Sequence, residues 1–429
     1  MSAARGCALA VTRRVFEQGA YADRALAAEA VELDPRDRAL ATQIAYGTVQ
    51  RRATLDHVAR PLVRRPLERL EPVVLAAIRI GLFQLLYLER VPTHAVVNET
   101  VELVKRDSRG GAGLVNAVLR RAAREGASLL GGLGDTTPAD AAVLHSVPEW
   151  LAQLWWSELG AVQARALLRR INDPAEGALR VNTLVSGVDD VLEALPVPAS
   201  RALGLPGSVP DLPEGLVLSA PFDAQGSELW RSGAITAQSR ASMLVTRLLA
   251  PEPGQRVLDL CAAPGGKTTH LAALIRDRGE IVAVERHPGR AAALEQNCRR
   301  MRASSVRVEI GDAAEAREEE GFDRVLVDPP CSGLGTLQSR PDRRWRASLE
   351  AIEELSALQA RILAAGAACT RPGGTLVYSV CTISRREGEG TLEAFLAANP
   401  EWTAEDTLQL LPHRDSTDGF FIARLRRGH

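Results

Sequence analysis

Hydrophobic positions recur with a helical period through roughly the first 125 residues of the chain. Asp34-Pro35 supplies an N-cap and a proline at the first helical position, and Leu40, Ile44 and Ala45 then share one face. Thr93 is placed to cap a stripe of Val96, Val97, Thr100, Val101 and Val104. Gly110-Gly111 is expected to break it, and Leu114, Val115, Val118 and Leu119 begin another. The most apolar stretch, 73–88, carries Arg79 and Gln84, so it predicts a buried helix and no membrane span. No strand alternation or turn pair intervenes, and residues 1–130 are expected to form an all-helical domain.

The Gly/Thr/Pro-rich run 131–138 reads as a linker. Two short helices over 148–170 and short strands over 177–235 follow. Leu179-Arg180-Val181-Asn182 and Gly215-Leu216-Val217-Leu218 are the clearest strands, which predicts a small mixed α/β module at 145–235. From residue 236 to 429 the pattern changes to strand–helix alternation. Apolar runs at 256–260, 280–285, 305–310, 323–327 and 375–380 are separated by helical stretches at 267–277, 287–301, 313–319 and 348–369. That order predicts a Rossmann-like, doubly wound, mostly parallel sheet. Runs at 407–411 and 420–425 predict an antiparallel hairpin at the sheet edge. The fold class is therefore multidomain, α followed by α/β.

Composition changes this picture little. The 429 residues carry 52 basic and 53 acidic side chains, a net charge of −1, so nucleic acid would have to be met by local basic patches. The six cysteines are too sparse for a disulfide scaffold, and none stands in a CxxC pair or a zinc-type cluster, so no metal is expected. Without a signal-like apolar segment near Met1, the expected location is the cytoplasm, and the expected state a monomer. Lysine occurs only at Lys105 and Lys267, arginine taking nearly every other basic position. A lysine retained in such a chain hints that its ammonium matters.

Lys267 lies in the turn Cys261-Ala262-Ala263-Pro264-Gly265-Gly266-Lys267, which joins the strand ending at Asp259-Leu260 to a helix. Small residues allow close backbone approach, and the helix start offers unpaired N–H groups. Gly266-Lys267-Thr268 imitates the end of a phosphate-binding P-loop, but such a loop needs glycine where Cys261 stands. A methyltransferase cofactor loop fits better. Glu285 closes the next strand, where a carboxylate can hold ribose hydroxyls, and Asp312 follows the third, placed to meet an adenine amino group. Each acid alone is an ordinary solvated loop residue. Asp259, Glu285 and Asp312 at successive strand ends share one sheet edge, which makes a cofactor site.

The fourth strand of this sheet leads into Asp328-Pro329-Pro330-Cys331-Ser332-Gly333 and the fifth into Cys381-Thr382. Fourth and fifth strands are expected to be neighbours, which brings both cysteines to the cofactor edge. A lone strand-end cysteine is ordinarily an inert small hydrophobe, the reading for Cys261, Cys298 and Cys369. Two beside a carboxylate suit methylation at carbon 5 of cytosine. Carbon 5 is a poor nucleophile until a thiolate adds at carbon 6. Asp328 can then hold ring nitrogen 3, and a base must remove the carbon 5 proton.

These strings, with Val377-Tyr378-Ser379-Val380-Cys381 and the terminal Asp418-Gly419-Phe420-Phe421-Ile422-Ala423, resemble the Fmu/Sun family of RNA (cytosine-5) methyltransferases. The resemblance covers nearly the whole chain. It implies a NusB-like, RNA-binding helical domain at 1–130, an RNA-binding module at 145–235 and a methyltransferase domain at 236–429. It also implies S-adenosyl-L-methionine as cofactor and ribosomal RNA, 16S in particular, as partner. In that family the later cysteine attacks and the Pro-Cys cysteine assists release, which implies Cys381 and Cys331. The cofactor is held by the segment matching 261–267 and by acids matching Glu285, Asp312 and Asp328. The chain departs from the family where Val380 precedes Cys381 in place of threonine, and where Ala237-Gln238-Ser239 only loosely matches the usual Gln-Asp stretch.

Arg343, Arg344, Trp345 and Arg346 combine guanidinium groups with one aromatic, which suits single-stranded RNA beside the site. A solvated loop would have the same composition. Other methyltransferases lean on an Asn-Pro-Pro-Tyr type loop and need no cysteine pair. DNA cytosine-5 enzymes would make Cys331 the nucleophile. Transfer RNA as substrate, or a non-catalytic antitermination-like RNA-binding factor, are the remaining alternatives. The last has no use for an intact cofactor loop.

Overall fold

The computed structural model describes residues 2–105, 107–202, 204–205, 210–315 and 321–429. It divides into two compact units, Met1–Asp173 with Leu337–Arg346, and Pro174–Thr336 with Ala347–His429.

The first unit is helical. Its central helix, Pro72–Tyr87, buries residues on all sides, as a continuous apolar run must. The polar pair that interrupts this run is satisfied internally. Arg79 makes two bonds of 2.7 and 2.8 Å to Asp56, and Gln84 accepts from Arg5 at 2.7 Å while donating to the Ile80 carbonyl. The Asp34 side chain caps its helix through the Asp37 amide at 2.8 Å. No helix among the described residues is long and apolar enough to cross a membrane.

Two expectations change here. The helix that begins at Thr93 does end before the next stripe, at Lys105, but Gly110-Gly111 is not the break. It lies in the first turn of Arg109–Gly131, which Ser108 caps through the Gly111 amide. A Cβ at Gly111 would come within 2.4 Å of Val74, so the glycine serves close packing. Nor does the helical unit end at 130. Helices Pro138–His145 and Glu149–Arg170 belong to it, the latter divided at the non-helical Gly160 into the two short helices that were expected. The supposed linker is packed around Asp135, which accepts from Arg165 and Arg169 at 2.6–3.0 Å. Thr54 Oγ1 donates to the Val143 carbonyl at 2.6 Å and fastens the added helices to the bundle.

The second unit holds two sheets. The smaller is formed by β1 (Ala178–Val181), β2 (Ala199–Arg201), β3 (Gly215–Leu218) and β4 (Ile235–Ala237), in the order β2-β3-β1-β4, all antiparallel. Strand β4 pairs Val181 with Ile235 and Leu179 with Ala237. A boundary at 235/236 would cut this ladder, so the small sheet and the large one share a unit and the module is not separate at that point.

The larger sheet contains β5 (Arg256–Asp259), β6 (Glu280–Glu285), β7 (Val306–Ile310), β8 (Phe322–Val327), β9 (Thr370–Val380), β10 (Trp402–Leu410) and β11 (Phe420–Arg427). Their order is β10-β11-β9-β8-β5-β6-β7. Strands β5 to β9 are mutually parallel, and β11 and β10 add an antiparallel hairpin to β9. Successive side chains alternate between two apolar layers: Val257, Ile281, Leu326 and Val377 enter one, Leu258, Val282, Val325 and Leu376 the other. Both faces are covered, which is why these strands read as continuous apolar runs. The helix expected at 313–319 is not seen over 313–315, which form a turn, and 316–320 lie outside the described residues.

Strand β5 has β6 on one side and β8 on the other, so the chain order reverses there. Such a reversal opens a crevice at the carboxyl ends of the strands, where ligands bind in open α/β sheets.

Candidate active site at the carboxyl edge of the large sheet

Every loop singled out in the sequence on chemical grounds leaves a parallel strand at this one edge, except the Arg/Trp segment. After β5 the Ala262 amide donates to the Val284 carbonyl at 3.0 Å, and the Gly265 amide turns back to the Ala262 carbonyl at 2.8 Å. Gly265 has φ +97°, and a Cβ there would sit 2.6 Å from Leu294 Cδ1. Only glycine is unstrained at that point. The helix Gly266–Leu274 starts immediately, presenting its first-turn N–H groups to the crevice edge.

Asp259 and Thr268 close this turn from beneath. Thr268 Oγ1 donates to the Asp259 carboxylate at 2.7 Å, and burial, with Asp328 as a nearby like charge, pushes Asp259 up to about 6. Burial also pushes the Cys261 thiol up, which keeps it protonated and unreactive. At the end of β6, Glu285 is buried, accepts the His287 amide at 2.9 Å and lies 3.5 Å from Arg290. Arg290 also donates to the Ala263 carbonyl at 2.7 Å, so one guanidinium joins this acid to the β5 loop. Asp312, after β7, accepts the Ala314 amide at 2.9 Å.

The reactive groups converge between β5, β8 and β9. Lys267 Nζ donates to Asp328 Oδ2 at 2.6 Å, and Ser379 Oγ donates to Asp328 Oδ1 at 2.9 Å. Burial works against the Lys267 charge, but the adjoining Asp328 carboxylate outweighs it and the net shift is upward. The ammonium is thus held charged, 5.3 Å from the centre of the Phe420 ring. Cys331 and Cys381 meet with their sulfurs 3.2 Å apart. The hydrogen bond to Cys381 and burial hold the Cys331 thiol well above its ordinary range. None of the six cysteines is in a disulfide.

Two groups that the sequence reading passed over are built into this edge. Arg180 of β1 is fully buried and donates to Gln238 at 2.7 Å, to Thr269 Oγ1 at 2.8 Å and to the Gly266 carbonyl at 3.2 Å. It braces the start of the helix behind the glycine turn. Glu387, also fully buried, receives bonds from the residues that follow both cysteines. No local signal marked either one. Glu387 follows Arg385-Arg386, a run with the composition of a solvated face.

The Arg/Trp segment is a correction. Leu337–Arg346 packs as part of the helical unit. Arg344 is fully buried and donates to the carbonyls of Gln50, Ser146 and Ile171 and to Asn172 Oδ1, so its guanidinium is not open to phosphate. Trp345 packs against the helical core and donates its indole N–H to the Val49 carbonyl at 2.7 Å, which removes it as a stacking platform. Arg346 is exposed but lies 4.0 Å over the Tyr21 ring and bonds the Gly19 carbonyl, and Arg343 is half-buried.

The chain is similar to known proteins in sequence and fold. A family model for 16S rRNA methyltransferases of the RsmB/F type matches residues 246–426, and one for the NusB family matches 2–124. The chain is 33% identical over 417 residues to a probable ribosomal RNA small subunit methyltransferase B of Bacillus subtilis, covering 92% of each. It is 36% identical over 412 residues to ribosomal RNA small subunit methyltransferase B of Thermus thermophilus, covering 91% of this chain and 89% of that one. Among solved structures, the protein PH0851 superposes with a TM-score of 0.82 at 27% identity, over 99% of both chains. The chain belongs to the Fmu/Sun family of RNA methyltransferases, the RsmB/F type that acts on small-subunit ribosomal RNA, with a NusB-family helical region ahead of its Rossmann-like domain.

Proposed function

We propose that this enzyme methylates carbon 5 of a cytosine in 16S ribosomal RNA, with S-adenosylmethionine as methyl donor and Cys381 as the attacking nucleophile. The observation that carries the reading is the 3.2 Å approach of Cys381 and Cys331 at the crevice edge, beside the Lys267–Asp328 pair.

The residues present fit the cofactor. A Cβ at Gly266 would meet nothing within 4 Å, so the turn is open there, Ala262 and Ala263 keep the loop small, and Glu285 and Asp312 stand at successive strand ends. Glu285 would hold the ribose hydroxyls, Asp312 the adenine amino group, and 261–267 with Asp328 the remainder. Bound there, S-adenosylmethionine supplies an electrophilic methyl group.

In the proposed reaction the Cys381 thiolate adds to carbon 6 of the cytosine, forming a carbon–sulfur bond and raising electron density at carbon 5. Asp328 holds the pyrimidine edge around ring nitrogen 3, and Lys267 keeps that carboxylate oriented while giving the crevice a fixed positive charge. After carbon 5 is methylated a base takes its proton, the electron pair left behind re-forms the carbon 5–carbon 6 double bond, and the carbon–sulfur bond breaks to return the Cys381 thiolate. Cys331, next to Cys381, assists this release. The hydrogen bond to Cys381 and burial raise the Cys331 thiol above its ordinary range, which disfavours Cys331 as the attacking thiolate. The exposed Arg346 and half-buried Arg343 are kept as candidate RNA contacts.

The test is methylation of 16S ribosomal RNA from a strain lacking the gene, mapped by bisulfite sequencing. Wild-type protein with S-adenosylmethionine should create one new 5-methylcytosine, and Cys381→Ala none. Methyl transfer to any other atom, or to transfer RNA alone, overturns the reading.

A further inference from the structure

We propose that Glu387 is a positioning residue that sets the spacing of Cys331 and Cys381. Its catalytic consequence rests on the cytosine-5 reading above, whereas its structural content does not.

The loop after β8 and the loop after β9 have no backbone ladder to hold them at a fixed separation, because each has left its strand. Glu387 supplies the missing tie. One carboxylate oxygen accepts from the Ser332 amide at 2.7 Å and from Gln359 Nε2 at 3.1 Å. The other accepts from the Ser332 hydroxyl at 2.5 Å and from Thr382 Oγ1 at 3.2 Å. Ser332 follows Cys331 in sequence and Thr382 follows Cys381. A single buried carboxylate is therefore bonded to the next residue after each thiol.

Further contacts fix the carboxylate itself. Gln359 also donates to the Pro330 carbonyl at 2.9 Å, which secures the residue on the other side of Cys331. The Tyr378 hydroxyl of β9 donates to the Glu387 carbonyl at 2.5 Å. The Ser332 and Thr382 hydroxyls lie 2.8 Å apart, so the two residues also bond to one another beside the carboxylate. An ionised carboxylate can take four such donors, and no neutral side chain of its size can. Substituting it leaves a buried amide and a hydroxyl competing for fewer acceptors, and the two loops lose their common anchor. Gly335 reinforces the frame by donating its amide to the Cys381 carbonyl at 3.0 Å.

The experiment uses the full chain and phenylarsine oxide, which condenses with two adjacent thiols to form two arsenic–sulfur bonds and release water. Capture by the wild type, lost in Cys331→Ala, defines the pair. Glu387→Gln should weaken capture about tenfold or more and lower kcat roughly a hundredfold, the cost of a misplacement near 1 Å. Thermal unfolding, the affinity for S-adenosylmethionine and KM for RNA should stay near wild type. Unchanged capture and kcat in Glu387→Gln overturn the proposal. So does a loss of capture that merely tracks a fall in cofactor affinity and unfolding temperature, since that marks a structural part only. Should Glu387→Gln not fold, Thr382→Val removes one strap alone and should still weaken capture, and unchanged capture there overturns the proposal. The arsenical result needs neither RNA nor methyl donor, so it can fail or succeed independently of cytosine-5 chemistry.

Discussion

Lys267, in the first turn of the helix after β5, and Asp328, in the loop after β8, flank the point where the strand order reverses, and they meet with Nζ 2.6 Å from Oδ2. Lys267 is one of only two lysines in an arginine-rich chain. Its compact ammonium reaches the carboxylate beside the Phe420 ring, where a planar guanidinium fork would present different geometry. Lys267→Arg should therefore leave the fold intact and reduce methyl transfer at least about tenfold, the penalty of one poorly placed charged hydrogen bond. Wild-type turnover in Lys267→Arg would reduce the lysine to a coincidence of composition.

The two cysteines separate by their adducts. Cys381→Ala should neither methylate nor form a covalent complex, because no thiolate is available to add to carbon 6. Cys331→Ala should still attack and transfer methyl, and then fail to let go. A protein–RNA band that survives denaturant is expected for Cys331→Ala, with none for Cys381→Ala or the double variant. A band in Cys381→Ala alone reverses the two roles.

Glu285→Ala should weaken S-adenosylmethionine binding by roughly ten- to a hundredfold, since a hydrogen bond to a buried charged acceptor contributes about 1.5–3 kcal/mol. Calorimetry is the check, and unchanged affinity removes Glu285 from the site.

Asp259 gives stability a pH dependence with a definite sign. Burial raises its folded-state pKa to about 6, above its unfolded value, so the folded chain holds the extra proton between the two. Stability should fall as pH rises from about 4 to about 6, and the full cost of about 3 kcal/mol stands above that window. Asp259→Asn keeps an acceptor for Thr268 and removes the titration. Denaturant unfolding should find variant and wild type alike near pH 4 and the variant more stable at pH 7. A gap that does not change with pH contradicts the assignment.

Arg344→Ala should destabilise the helical unit by roughly 2–4 kcal/mol, because several buried carbonyls lose their donor at once. Thermal unfolding should register this directly. Weaker RNA binding with unchanged stability would instead return Arg344 to the nucleic-acid surface.

Local sequence was enough for whatever depends on period and turn chemistry. Strands β5, β6, β8 and β9 read as apolar runs because both faces of a parallel sheet are covered, and the Asp34 cap and the Gly265 turn are contiguous strings with a steric cause. The meeting of Cys331 and Cys381 also followed from sequence, once neighbouring parallel strands were expected to end at one edge. Tertiary structure alone decided which charges are solvated. Arg344 and Glu387 sit in runs of exposed composition, yet both are fully buried and bonded to groups distant in the chain. Asp135 turns an apparent linker into a packed corner by gathering Arg165 and Arg169. The three-residue strand β4 is too short for alternation to show, and its ladder with β1 carries the small sheet across the expected boundary. Period and capping belong to a few consecutive residues, whereas desolvation and pairing belong to whatever the rest of the chain brings against them.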